Sequence, residues 1–264
     1  MSPNSDPPSR APIPEIGVAA ARKVRAEIGY EHPGELEIEV IAYMRGAVVR
    51  RRPASGSRAN LVRLGDRGII AVADGLTPEE RRWAIAHELG HFEAHPHVSF
   101  LGLCSGEDMR ASYRASGREP EANAFAAELL MPEDLVARHG AVAKVSWDPI
   151  VKMAKSFGVS MSAAAIRFAG ITDERVAIVC SKDGVIEWVS ASRDFGPKPA
   201  RGKKVEEWTE ARAFFESGTI SETPQTVSAS AWLEDADDDV HLVEHLLARP
   251  GQNVALSLLW FPPT

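Results

Sequence analysis

Cysteine is scarce in this chain of 264 residues: Cys104 and Cys180 stand far apart and outside any metal-ligand spacing. That excludes a disulfide framework and points to a reducing, cytoplasmic setting. Positive charge is not in excess either. Thirty basic residues against 37 acidic ones leave a net charge of −7, so the overall balance does not draw the protein to nucleic acid or to an anionic membrane. Long apolar runs are also missing. The longest one near the C-terminus, Val254 to Phe261, suits a buried strand and is too short to cross a bilayer. No internal repeat is apparent. Residues 1–14 are rich in Pro and Ser and carry no apolar run, so they read as a disordered tail rather than a signal peptide. With these exclusions the composition is that of an ordinary soluble protein, 44% hydrophobic and 25% charged, long enough for two cores.

The most informative feature present is His87-Glu88-Leu89-Gly90-His91. On a helix, positions i and i+4 share a face, so two imidazoles at this spacing can reach one metal ion. Glu88 stands beside the first histidine, where its carboxylate can act on a water at the metal; this is the H-E-x-x-H arrangement of zinc peptidases. The surroundings predict the helix. Thr77-Pro78-Glu79-Glu80 reads as an N-cap, a proline at the first helical position and an acidic first turn, and no breaker follows before Gly90. The competing reading is a surface helix with two solvated histidines.

Catalytic zinc takes three protein ligands and keeps a fourth position open, so two histidines are an incomplete set. His95 continues the stripe but lies two turns from His87, roughly 12 Å along the axis, beyond reach of the same ion. His97 has the spacing of a longer zinc motif, yet the glycine that motif uses to turn the chain is replaced here by Ala94, next to Pro96. A carboxylate on a second helix remains, and Glu119-Pro120-Glu121 offers two. Glu119 shares its face with Ala122, Asn123 and Ala126, small residues that permit close helix approach, and Asn123 can orient a ligating histidine. Glu121 shares its face with Phe125 and Glu128 and is the main rival.

Along the chain, the periodicity predicts helices over Ile16–Ile28 and Leu36–Met44, then β-runs at Ala47–Arg51, Asn60–Leu64 and Gly68–Ala73 forming a small antiparallel sheet ahead of the H-E-x-x-H helix. Pro96 to Arg118 reads as a loop. Helices follow at Glu119–Leu130 and after Pro132, and then a helical pair, Ile150–Phe157 and Met161–Phe168, joined by Gly158-Val159-Ser160. That pair looks like a helix-turn-helix. Its second member offers a groove little besides alanine and the single basic Arg167, which favours packing on the peptidase core over reading DNA. Beyond Gly170 come a hairpin at Val176–Ser190, a helix over Val205–Glu216, and strands near Thr226–Leu233, Val240–Ala248 and Val254–Phe261. The expected class is α+β: a tail at 1–14, a zincin-like peptidase domain over 15–140, a helix-turn-helix-like segment over 141–170, and a separate α+β domain over 171–264.

The first motif together with Glu119-x-Glu121-Ala122-Asn123-x-Phe125-Ala126-Ala127-Glu128-Leu129-Leu130-Met131-Pro132 resembles the ImmA/IrrE family of metallopeptidases, over roughly residues 15–170. The resemblance implies Glu119 as third zinc ligand and, as substrate, a helix-turn-helix transcriptional repressor cut at one site. For members that serve the radiation and DNA-damage response, that repressor is of the DdrO type. It also implies a GAF-like sensor fold at 171–264, with a small-molecule ligand coupled to the peptidase. The expected cofactor is Zn²⁺, with Mn²⁺ as an alternative. Metal ligands His87, His91 and Glu119 then surround Glu88 as general base and acid, and Tyr113, Arg114 and His139 have the chemistry to stabilise the oxyanion. The contrasting reading is a DNA-binding activator with a vestigial metal site, dependent on Arg167; a general degradative peptidase fits less well with an appended sensor-like domain.

Overall fold

A computed structural model describes residues 15–29, 31, 37–54, 56–96, 101–104, 117–139 and 145–263. The tail expected at 1–14 lies outside them. The chain divides into two units, one running to Ala137 and taking in Ser156–Ser160, the other made of Arg138–Lys155 and Met161–Thr264. No helix among the described residues is long and apolar enough to cross a membrane.

In the first unit, α1 (Glu15–Ile28) and α2 (Ile38–Met44) precede β1 (Ala47–Arg52), β2 (Ala59–Leu64) and β3 (Arg67–Ala73). Then come α3 (Pro78–Ala94), β4 (Leu101–Cys104), α4 (Arg118–Leu130) and α5 (Glu133–His139). The sheet has the order β1-β3-β2-β4, and it is mixed rather than antiparallel: β1 runs parallel to β3, while β2 is antiparallel to β3 and to β4. A tight turn at Gly65-Asp66 joins β2 to β3, whereas residues 53–58 connect β1 to β2 and leave room for β3 to insert between them. Strand β4 falls inside the stretch expected to be loop. Leu61, Ile70 and Val72 are buried on the face toward α3, and α1, α3 and α4 pack on one another over it.

The second unit holds α6 (Trp147–Phe157) as far as Lys155, α7 (Met161–Ile171), β5 (Arg175–Lys182), β6 (Val185–Ala191), α8 (Glu210–Ser217), β7 (Gln225–Ser228), β8 (His241–Arg249) and β9 (Val254–Phe261). Its sheet is wholly antiparallel, in the order β6-β5-β9-β8-β7. The β5–β6 turn is built on Asp183 (φ 51°) and Gly184 (φ 79°), the left-handed pair that a two-residue hairpin demands. Ala177, Val179, Phe195, Phe214, Trp232 and Leu259 form its core. Helix α7 packs on β5 and β6, and Trp147 of α6 donates its indole N–H to the His245 carbonyl at 2.7 Å. Nine of α7's eleven residues are not charged or polar, so it seeks an apolar sheet.

Two local expectations shift. The helix foreseen from Val205 begins at Glu210, because Val205 N–H is taken by the Gly184 carbonyl at 2.9 Å and Thr209 caps the Arg212 N–H at 3.0 Å. The strand foreseen to Leu233 ends at Ser228, whose hydroxyl accepts from Ser230 N–H and opens a 3₁₀ turn at Ala229–Ala231.

Candidate metal centre

Helix α3 is fixed at its start by a full capping box. Thr77 Oγ1 accepts from Glu80 N–H at 3.2 Å, Glu80 Oε2 accepts from Thr77 N–H at 3.1 Å, and Pro78 fills a position with no N–H to satisfy. The polar end is held too. Arg63 donates to the Phe92 carbonyl at 2.6 Å while its guanidinium lies 4.2 Å over the Phe92 ring. Between these anchors the helix is buried from Ala84 to Phe92, including His87, Glu88 and His91. Three ionisable groups in one buried stretch carry a desolvation cost that a surface helix would not bear.

Helix α4 lies against α3, and Gly90 sets how closely. A Cβ at Gly90 would stand 2.9 Å from both the Cα and the carbonyl oxygen of Ala122, and 3.0 Å from Phe125 Cβ. Glycine costs roughly 0.5–1 kcal/mol in a helix interior, and here it allows two backbones to meet. The approach delivers Glu119 and Asn123 to the histidines.

His87 Nε2 lies 3.2 Å from Glu119 Oε2, His91 Nε2 lies 3.2 Å from Glu119 Oε1, and the two Nε2 atoms are 3.2 Å apart. One ligand atom from each of the three residues falls within 4.8 Å of the others, a group able to hold a metal ion. A tetrahedral site with bonds of ~2.0–2.1 Å needs donors roughly 3.3 Å apart, so the spacing fits. The tautomer fits as well. Asn123 Oδ1 stands 2.9 Å from His87 Nδ1, so Nδ1 carries the proton and Nε2 turns its lone pair toward the other two donors. Burial, partly opposed by the hydrogen bond with Glu119, lowers the pKa of His91 and favours the neutral imidazole that a metal requires. At Glu119 burial acts to raise the pKa, but the His87 and His91 imidazoles at its two oxygens outweigh it and hold the carboxyl well below the usual range. The group is a charged carboxylate facing two nitrogen donors.

Other candidates separate. Glu121 turns to His95, with Oε2 3.5 Å from His95 Nδ1, and His95 Nε2 faces the Arg118 carbonyl at 3.4 Å; these two form a pair of their own. His97, Tyr113 and Arg114 lie outside the described residues, as does the side chain of His139. Sequence reasoning missed Arg63, which is 29 positions from the carbonyl it holds and has no local signal. It also passed over Gly90, although a glycine in mid-helix is itself a sign that something lies close by.

Residues 44–169 match the IrrE N-terminal-like domain, Peptidase_M78, a metallopeptidase family. That stretch of the chain is ImmA/IrrE-like. A solved structure, a Mycobacterium tuberculosis transcriptional regulator, aligns with a TM-score of 0.61 at 18% identity over 93% of this chain and 76% of that one, which shows a shared fold. A search of curated proteins finds no significant match. The matched IrrE-like stretch contains all three donors and Glu88.

Proposed function

We propose that the protein is a zinc-dependent, site-specific endopeptidase that cuts a helix-turn-helix transcriptional repressor, of the DdrO type, in a stress or DNA-damage response. The observation that carries this reading is the convergence of His87, His91 and Glu119 beside the buried Glu88. His87, His91 and Glu119 would hold the metal, Zn²⁺ or in its place Mn²⁺. When bound, such an ion supplies Lewis acidity, polarising a peptide carbonyl and making water a nucleophile near neutral pH. Glu88 takes the proton from the attacking water and delivers it to the leaving amine. Asn123 keeps His87 in the ligating tautomer throughout. A reducing cytoplasmic setting belongs to the same reading, as does a GAF-like sensor role for the antiparallel sheet of the second unit.

The test is co-incubation of the zinc-loaded protein with a helix-turn-helix repressor of the DdrO type. A single cut is expected, lost on chelation and reduced by about 10³-fold or more in Glu88→Gln, which should still bind zinc. Undiminished cutting by that variant would refute the mechanism. The DNA-binding alternative has less support: Arg167, the single basic residue of α7, is buried and cannot enter a groove.

A further inference from the structure

The first sheet has a second face, turned away from α3, and its side chains are not those of an ordinary solvated surface. Alternation along the strands buries Leu61, Ile70 and Val72 on the inner side and turns Val62, Leu64 and Ile69 outward. These three are 39%, 83% and 49% exposed. Register lines them up: Ile69 sits opposite Val62 on one side and Val48 on the other, an apolar row crossing three strands. The next row toward the β2–β3 turn holds Leu64 opposite Arg67, and the next row the other way holds Arg50 opposite Ala71. Arg50 and Arg67 are exposed, and no acidic residue occupies a position on this face among the described strands. In a chain of net charge −7 the face is cationic as well as apolar.

We propose that this outer face docks an amphipathic helix of a partner protein, laid along the row Val48–Ile69–Val62 with carboxylates on both flanks. The spacing suits a helix. Rows two residues apart along a strand are roughly 6.7 Å apart, so the two arginine-bearing rows stand about 13 Å from each other, close to the 10–12 Å width of a helix. Charge sets the sign of the partner: leucine-like residues meet the apolar row, and glutamate or aspartate meets Arg67 on one side and Arg50 on the other. The sheet face carries no aromatic side chain in its described strands on which a base could stack, which argues for protein rather than nucleic acid. The surface is separate from the metal centre, and its occupation does not depend on peptidase activity.

The test uses the full chain in the Glu88→Gln background, so that cleavage of the probe cannot register. The probe is a fluorescein-labelled helical peptide of about five turns with a leucine stripe flanked by glutamates. Binding should be saturable and weakened by salt, about tenfold or more weaker in Arg50→Ser/Arg67→Ser and in Ile69→Ser, with thermal unfolding of both variants unchanged. A counterpart with lysines in place of the glutamates should not bind. The proposal is overturned if the glutamate peptide fails to bind, or if its binding survives both sets of substitutions. It is also overturned if a single-stranded oligodeoxynucleotide binds in its place, or if sedimentation shows a dimer that Ile69→Ser dissolves, which would assign the face to a second copy.

Discussion

Two glutamates, one in each unit, make opposite use of the same side chain: Glu119 is half-buried and Glu244 fully buried. Glu119 lies with two imidazole nitrogens, each 3.2 Å from one of its oxygens, and the two imidazoles hold its pKa low although partial burial acts to raise it. Glu244, on β8, is surrounded by donors that complete it. It accepts from Glu210 N–H at 3.0 Å and Ala211 N–H at 3.1 Å at the start of α8, from Ser257 Oγ at 2.9 Å and from the Trp232 indole at 3.2 Å. Burial still pushes its carboxyl up to about 7 against those bonds. The second arrangement is closed: its partners are backbone amides, a hydroxyl and an indole, and it ties a helix to a sheet. The first places its carboxylate against two nitrogens able to ligate a metal, and that is the mark of a site rather than a strut.

The contrast can be broken at either end. Apart from loss of activity in Glu88→Gln, the largest effect should come from Glu244→Ala, which strands four donors, three of them buried, and should cost about 3 kcal/mol or more in a denaturant melt. Zinc affinity should be unaltered. Gly90→Ala forces a methyl into the Ala122 backbone, so unfolding free energy should fall by about 1–3 kcal/mol and zinc binding by calorimetry should weaken as α4 moves off. Asn123→Ala frees His87 to take either tautomer, and zinc affinity should drop about 10–100-fold with little change in stability. The smallest effect is a slope. The folded pKa of Glu244 lies above its unfolded value, so its contribution to stability is full in acid and is lost as pH rises through about 7. Unfolding free energy should then fall by no more than about 1.4 kcal/mol per pH unit between roughly pH 5 and 7, a slope that Glu244→Gln removes. Glu119, with its lowered pKa, works the other way: what it contributes is lost only as pH falls into the acid range.

Local signals in the sequence were reliable where one element decides its own fate. The capping box and Pro78 mark the start of α3, and a nearly continuous apolar run marks β9 to the residue. The helical-face argument around Glu119 and Asn123 was legible because both faces follow from spacing alone, and the structure brings those residues to the histidines. What could not be read was partnership across distance. Nothing in Ala47–Arg52 says that it lies parallel to β3 instead of beside β2, and four residues at Leu101–Cys104 become a strand only because β2 offers an edge. The late start of α8 depends on a carbonyl at Gly184, and the docking of α7 on β5 and β6 depends on strands that follow it. Tertiary context chose among options that local propensity left open.

Dividing the donor set between two helices has a thermodynamic result. His87 and His91 ride on α3 and Glu119 on α4, so in the unfolded chain the third donor is separated from the others by a long, costly loop. Coordination energy is then released only when the helices meet, and every tenfold rise of free ion above its dissociation constant would add about 1.4 kcal/mol to that meeting. A cell's supply of the metal would thus set how long this unit survives unfolding and degradation, as well as how fast it works.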